Sequence, residues 1–240
     1  QSDAGIGAIL IDARGPVFCA GMDLDEVLDP KAAERTSIHE KVFTMAARSV
    51  KPIVAAVQGP ALGGGVGLVA NAHVVVAAQG TSFGLTEIRI GMWPFVIFRA
   101  VVTAMGERRA LELSLTGRIF SAPEAQQYGL VHEIAPAFEL DDRATAIATQ
   151  ISESSAEAIH QGLEFLHGSR NVDAERAGHI AREMRASAFA SADFREGEGA
   201  HPVRRREGIV RRARQLGQGA EMDAVVAGLT TPWSSGKVEG

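Results

Sequence analysis

Three short, unbroken apolar runs constrain the fold of this chain most: Ile6-Gly7-Ala8-Ile9-Leu10-Ile11, Ile53-Val54-Ala55-Ala56-Val57 and His73-Val74-Val75-Val76-Ala77-Ala78. Each is short, continuous and rich in β-branched residues, which reads as a strand buried on both faces. Such strands belong to parallel sheets whose crossover helices cover both sides. Helical patterns lie between and after them. Lys31 to Ser49 sets Ile38, Val42, Met45 and Ala46 on one face, and Pro52 ends that helix. Helices are also expected over 66–71, 96–105 and 107–115, and through most of 141–166. Ser121, Pro123 and Glu124 form a helix start, with a capping serine, a first-turn proline and an acid three residues after the cap. Strands alternating with helices define an α/β class with parallel pairing.

Two small-residue turns follow apolar runs: Phe18-Cys19-Ala20-Gly21-Met22-Asp23-Leu24 and Ala61-Leu62-Gly63-Gly64-Gly65-Val66-Gly67. Each ends where a helix can begin, so each exposes backbone N–H groups. Two such turns facing one another can hold one developing negative charge. The alternative is close packing of a glycine turn on a strand. Other glycine-loop chemistries fail on spacing. A dinucleotide fingerprint needs glycine at 68, where Leu68 stands, and a phosphate loop needs lysine at 65, where Gly65 stands.

Glu87 sits among apolar neighbours in Phe83-Gly84-Leu85-Thr86-Glu87-Ile88, in a segment (81–91) that reads as strand-like or loop. Burial raises a carboxyl pKa and suits it to proton transfer near neutrality. The competing reading is a structural carboxylate paired with Arg89 or Arg99, or capping a turn. His73 reads as a satisfied histidine at a strand end, and Cys19 as a small buried filler. Met92 and Trp93, with Phe95 and Phe98, are candidates for an apolar pocket. No His, Cys or Asp grouping has metal-ligand spacing.

A formal net charge of −5, with 22% charged residues over 240, gives no reason to expect a nucleic-acid partner for the whole chain. The single cysteine rules out an internal disulfide and suits a reducing compartment, so a cytoplasmic location is expected. No apolar run reaches membrane-spanning length. Gln1 leads almost at once into a buried-looking strand, so further N-terminal elements are expected to precede it. Beyond about Ala192 glycine and arginine become frequent, with clusters at Arg204-Arg205-Arg206 and Arg211-Arg212. Residues 230–240 read as a loose polar tail.

These motifs, in this order, resemble the crotonase (enoyl-CoA hydratase/isomerase) superfamily from about Gly5 to Glu196. The likeness is carried by the 18–24 turn, by Lys51-Pro52-Ile53-Val54-Ala55-Ala56-Val57-Gln58-Gly59, by 61–67, by 83–88 with Gly91 and Pro94, and by Leu115-Thr116-Gly117-Arg118. Ala122, Glu124 and Ala125, with Gly129-Leu130-Val131, complete it. The resemblance implies a spiral of β-β-α repeats with a helical C-terminal region that supports trimers or hexamers. It divides the chain into a core (1–135), a helical oligomerisation region (136–196) and an Arg/Gly-rich tail (197–240). It implies an acyl-CoA thioester as ligand, with no cofactor beyond that coenzyme A and no metal. The thioester carbonyl would lie between the N–H groups of Met22 and Gly64, each donor typically contributing about 3–4 kcal/mol. Glu87 would be the general acid/base. Ala20, Asp23, Leu24, Gly63, Gly67 and Trp93 would contact substrate, with adenine against the 20–24 turn.

The chain departs from that pattern. Family hydratases carry a second catalytic glutamate where Gly67 stands, so a single-acid isomerase is the expected activity. Restoring an acid by Gly67→Glu is expected to raise hydration. The family's N-terminal strands and first helix, with a CoA-contacting segment, are absent from the sequence. The alternatives are a hydratase, a thioester hydrolase or decarboxylase on the same scaffold, and a non-catalytic binding protein whose arginine-rich end meets RNA or protein.

Overall fold

The computed structural model describes residues 5–21, 40–199 and 209–215, with the side chains of 196–199 and 209–215 left aside. Strand β1 (Ile6–Ala13) is followed by a helical turn at 40–43 and a 3-10 turn at Ala46–Arg48. Then come β2 (Ile53–Val57), β3 (Ala61–Leu62), helix α1 (Gly64–Ala70), β4 (Val74–Ala78) and β5 (Ser82–Gly84). A second 3-10 turn (Thr86–Ile90) leads to α2 (Phe95–Met105), α3 (Glu107–Thr116), β6 (Ile119–Ser121), α4 (Ala122–Gln127) and β7 (Glu133–Ala135). Helices α5 (Leu140–Ser152), α6 (Ala156–Ser169), α7 (Ala174–Phe189) and α8 (Ala192–Gly199) precede β8 (Ile209–Gln215).

The larger sheet runs β7-β4-β2-β1-β8, parallel throughout. A smaller one joins β3 to β5 in parallel and β5 to β6 antiparallel. The apolar runs are continuous because both faces of the larger sheet are covered. Ile9, Ile11, Ile53, Ala55, Val57, Val75 and Ala77 face the main core, which α1 to α4 also fill. Their alternates Ala8, Leu10, Val54, Ala56, Val76 and Ala78 pack on Leu140, Ala144 and Ala148 of α5. The small residues of α5 let it lie close: a Cβ on Gly7 would stand 2.5 Å from Ser152 Cβ.

Three expectations shift in detail. The helix expected to run to Ser49 stops after residue 43, because Asn71 Nδ2 donates to the Phe43 carbonyl (2.9 Å) and Asn71 Oδ1 accepts from the Ala46 N–H (3.3 Å), drawing both groups away from the helical ladder. The stretch 141–166 is mostly helical, as expected, and is divided into two helices where Ser155 caps α6 by accepting from Ala158 N–H. In the Arg/Gly-rich tail, to which no element is assigned from the sequence, 209–215 pairs along β1 with Asp12 opposite Arg214. Arg204 to Arg206 and the 230–240 stretch lie outside the described residues, as does Ile38.

His73 and His132 enter strands in the same way. His73 N–H donates to Ile53 O (2.8 Å) while Ile53 N–H donates to His73 Nδ1 (2.9 Å). His132 repeats this exchange with Val75, at 3.0 Å in each direction. An accepting Nδ1 requires a neutral ring. Burial, then the nearby His167 and Arg170 charges, pull His73 down to about 4, and burial also lowers His132. An unfolded histidine titrates near 6.5, so the unfolded chain binds more protons between about pH 6.5 and pH 4. The contribution of His73 is therefore complete above pH 6.5 and lost as pH falls toward 4. We expect a loss of about 2–3 kcal/mol across that interval in denaturant titrations. His73→Gln should flatten the slope, and an unchanged slope would refute the assignment.

Candidate active site

The two glycine turns are clamped to one another. Phe18 and Cys19 N–H both donate to Pro60 O (3.0 and 3.3 Å), Leu62 N–H donates to Cys19 O (2.8 Å), and Cys19 bridges Ala61 in parallel. Gly63 turns the chain at φ 52°, ψ −119°, a conformation closed to residues with a Cβ. Its own N–H donates to Gly84 O (2.8 Å). The next amide, Gly64 N–H, opens α1 and donates to no group among the described residues. The amide nitrogen of Gly64 lies 3.5 Å from where a Cβ on Gly21 would stand, so the two turns face each other across this donor. Gly65 permits that approach. A Cβ there would overlap the Cys19 carbonyl, with its carbon only 3.1 Å away.

Glu87 reaches the same place from the 3-10 turn. Buried Leu85 anchors the turn, Met92 N–H donates to Glu87 O (3.0 Å), and Gly91 closes it at φ 76°. Glu87 Oε1 lies 3.2 Å from the Cβ position of Gly63. Its Oε2 is buried and accepts no hydrogen bond among the described residues. Among the described residues neither Arg89 nor Arg99 pairs with it, which removes the ion-pair form of the structural reading. Burial raises its pKa, opposed by its own backbone N–H.

A cavity of about 350 Å³ opens over these groups. Ala20, Gly21, Gly63, Gly64, Glu87, Met92, Trp93 and Phe95 line it, and Glu87 is the one carboxyl among the described lining residues. Phe98 packs behind Trp93 with ring centroids 5.4 Å apart and does not line the cavity. Gly67 is also outside the lining. It is buried one helical turn beyond Gly64, under Ile97 and Phe43. Met22, Asp23 and Leu24 lie outside the described residues, although Gly21, which precedes them, is in place. Sequence reasoning missed Phe43, Ile97 and Asn71. Nothing local marks them, because they meet only through packing against the bare glycine face of α1.

Other singled-out residues are structural. Arg118 pairs with Glu112 (2.7 Å) and Glu124 (2.9 Å) and donates to Tyr128 Oη (3.1 Å). Ser121 and Glu124 make the expected capping box, and the Ser121 backbone N–H is the main cause that holds the Glu124 carboxyl down at about 2. Cys19 is buried. Among the described residues no helix is long and apolar enough to cross a membrane.

Comparison with known proteins identifies the family and the fold. The enoyl-CoA hydratase/isomerase family model matches residues 1–207. A probable enoyl-CoA hydratase of Mycobacterium bovis is 36% identical over 199 residues, covering 82% of this chain and 77% of that protein. A mevalonyl-coenzyme A hydratase of Aspergillus fumigatus is 35% identical over 196 residues, covering 78% and 72%. The crystal structure of an enoyl-CoA hydratase from Bacillus anthracis superposes with a TM-score of 0.78 at 28% identity, covering 88% of this chain and 83% of that one. A family model spanning most of the length, relatives above 30% identity and a shared fold lead to one conclusion: this chain belongs to the enoyl-CoA hydratase/isomerase family, the crotonase superfamily, and is an enzyme of that family.

Proposed function

We propose that the chain is an enoyl-CoA isomerase that works with one acid. The carboxylate of Glu87 removes a proton from C2 of a 3-enoyl thioester. The electrons move onto the thioester oxygen, which accepts hydrogen bonds from Gly64 N–H and the amide of Met22. The same carboxyl then returns the proton at C4, leaving the double bond between C2 and C3. No atom is lost and no second base is needed. The observation that carries this reading is a half-buried carboxyl that is, among the described residues, alone in the lining, with a buried Oε2 that accepts no hydrogen bond and a raised pKa, beside a Gly64 N–H that donates to none of them. A dry site strengthens both the carboxyl's basicity and the main-chain donors. Ala20, Gly63 and Trp93 are assigned to substrate contact on the same grounds.

Hydration of a 2-enoyl thioester is the second reading, favoured by the names of the relatives. Incubation with 2-enoyl- and 3-enoyl-CoA followed by product identification decides between them. Rapid 3-to-2 isomerisation with little 3-hydroxy product supports the first. The reverse pattern overturns it.

The expectation that Gly67→Glu raises hydration meets an obstacle. A Cβ at 67 would stand 2.7 Å from Ile97 Cβ and 3.0 Å from Phe43 Cδ1. The single variant is expected to lose about 1–3 kcal/mol of stability by overpacking, with no rise in hydration. Adding Ile97→Ala removes the Cγ2 contact but leaves the Cβ contact at 2.7 Å, so the double variant should recover only part of that stability. Thermal melts and hydration rates of both variants check this.

Assembly as a homotrimer, or as a hexamer of two paired trimers, is proposed from the C-terminal helices. Neither α6 nor α7 contains a fully buried residue, and Leu166, Val172, Phe189 and Phe194 stand exposed. A surface of that kind calls for a partner. Sedimentation as a monomer at micromolar concentration would refute it.

A further inference from the structure

We infer that Phe43, fixed by Asn71 and backed by Ile97, sets the size of acyl group that the cavity accepts. The inference rests on the enoyl-CoA reading above. Gly64 and Gly67 lie one turn apart on the same side of α1, and neither carries a side chain there. The Phe43 ring fills the space they leave: Cζ stands 3.1 Å from the Cβ position of Gly64, and Cδ1 stands 3.0 Å from that of Gly67. Ile97, from α2, closes the remainder, with its Cβ 2.7 Å from the Gly67 position. Both side chains are almost wholly buried, yet both line the cavity that holds Glu87. They form its wall on the α1 side.

A wall sets size only if it is held. Asn71, 2% exposed, does this from the end of α1. Its Nδ2 donates to Phe43 O and Gly67 O, both at 2.9 Å, and its Oδ1 accepts from Ala46 N–H. One amide thus ties the backbone of Phe43 to the helix on which its ring rests. These bonds replace helical ones and stop the 40–43 turn at the position that presents the ring. Interiors at native density do not flow into a gap, so a shorter side chain at 43 enlarges the cavity rather than collapsing it. Phe43 and Ile97 are specificity-determining residues in this scheme, and Asn71 is a positioning residue.

The test is kcat/KM for short-, medium- and long-chain enoyl-CoA thioesters on the whole chain and on Phe43→Ala, Phe43→Trp and Asn71→Ala. Each added methylene in an apolar pocket typically discriminates by about tenfold or more. Phe43→Ala should raise the long-to-short ratio about tenfold or more, and Phe43→Trp should lower it. Asn71→Ala should shift the ratio in the same direction as Phe43→Ala, which a purely structural role, seen only as a lower melting temperature, would not do. If Phe43→Ala fails to fold by circular dichroism, Phe43→Leu takes its place. Profiles that superpose on the unaltered chain overturn the inference and leave the enoyl-CoA reading standing. Absence of turnover on any chain length by the unaltered protein overturns both.

Discussion

Glu87→Gln is expected to lower the isomerisation rate by about 10²–10⁴-fold while acyl-CoA binding stays measurable. The amide keeps the shape of the side chain and its place beside Gly63, but it cannot accept a proton from C2 and return it at C4. The pH dependence of the unaltered chain should carry the same signature. Glu87 must be ionised to act as a base, and burial raises its pKa. The acid limb of kcat/KM therefore lies above the ordinary glutamate value of about 4.3. The linkage sign separates this effect from unfolding. A carboxyl raised by burial contributes stability that is present below its unfolded pKa and lost as pH rises through its folded one. Gln has no such loss, so at neutral pH the variant should melt no lower than its parent. A variant that keeps its parent's rate, or an acid limb at the ordinary glutamate value, removes Glu87 from the proposed role.

The second large effect is expected at Gly65, which does not line the cavity. Gly65→Ala puts a methyl into the Cys19 carbonyl, a backbone group that cannot swing away as a side chain can. The clamp made by Leu62 N–H and Cys19 O at 2.8 Å must open, and with it the spacing between Gly21 and Gly64 N–H. The Gly64 donor should then miss the developing oxyanion. Loss of one such donor typically costs about 10²–10³-fold in kcat. Glu87 is held from a separate turn, so the acid limb of the pH profile should not move. Overpacking should also lower stability by about 1–3 kcal/mol. Unaltered kcat in a folded Gly65→Ala enzyme would detach the two turns from the chemistry. A fall in kcat with a shifted acid limb would mean that the damage spreads to Glu87.

Much of this was legible in the residues, and the reason is locality. The strands at 6–13, 53–57 and 74–78 announced themselves because a segment covered on both faces must be apolar at every position. The Ser121/Glu124 cap was readable because both partners lie within one turn. Glu87 stood out as an acid in an apolar segment, yet local sequence could not separate a proton carrier from a partner of Arg89. Only the fold shows that Oε2 is buried without a hydrogen-bond partner among the described residues, which speaks against the Arg89 pair.

The α/β layering, the two opposed glycine turns and the lone acid were thus written into runs of a few residues, where burial and backbone freedom dictate residue type directly. The closing of the cavity was not. Phe43, Asn71 and Ile97 come from three distant segments, and their meeting depends on helices crossing over a side-chain-free face of α1. Gly67 illustrates the difference. In the chain it is one more glycine, and as a missing acid it invited replacement. In the folded protein its hydrogen faces Ile97 and Phe43, so the same position is a packing contact in which volume, not charge, governs what can be placed there.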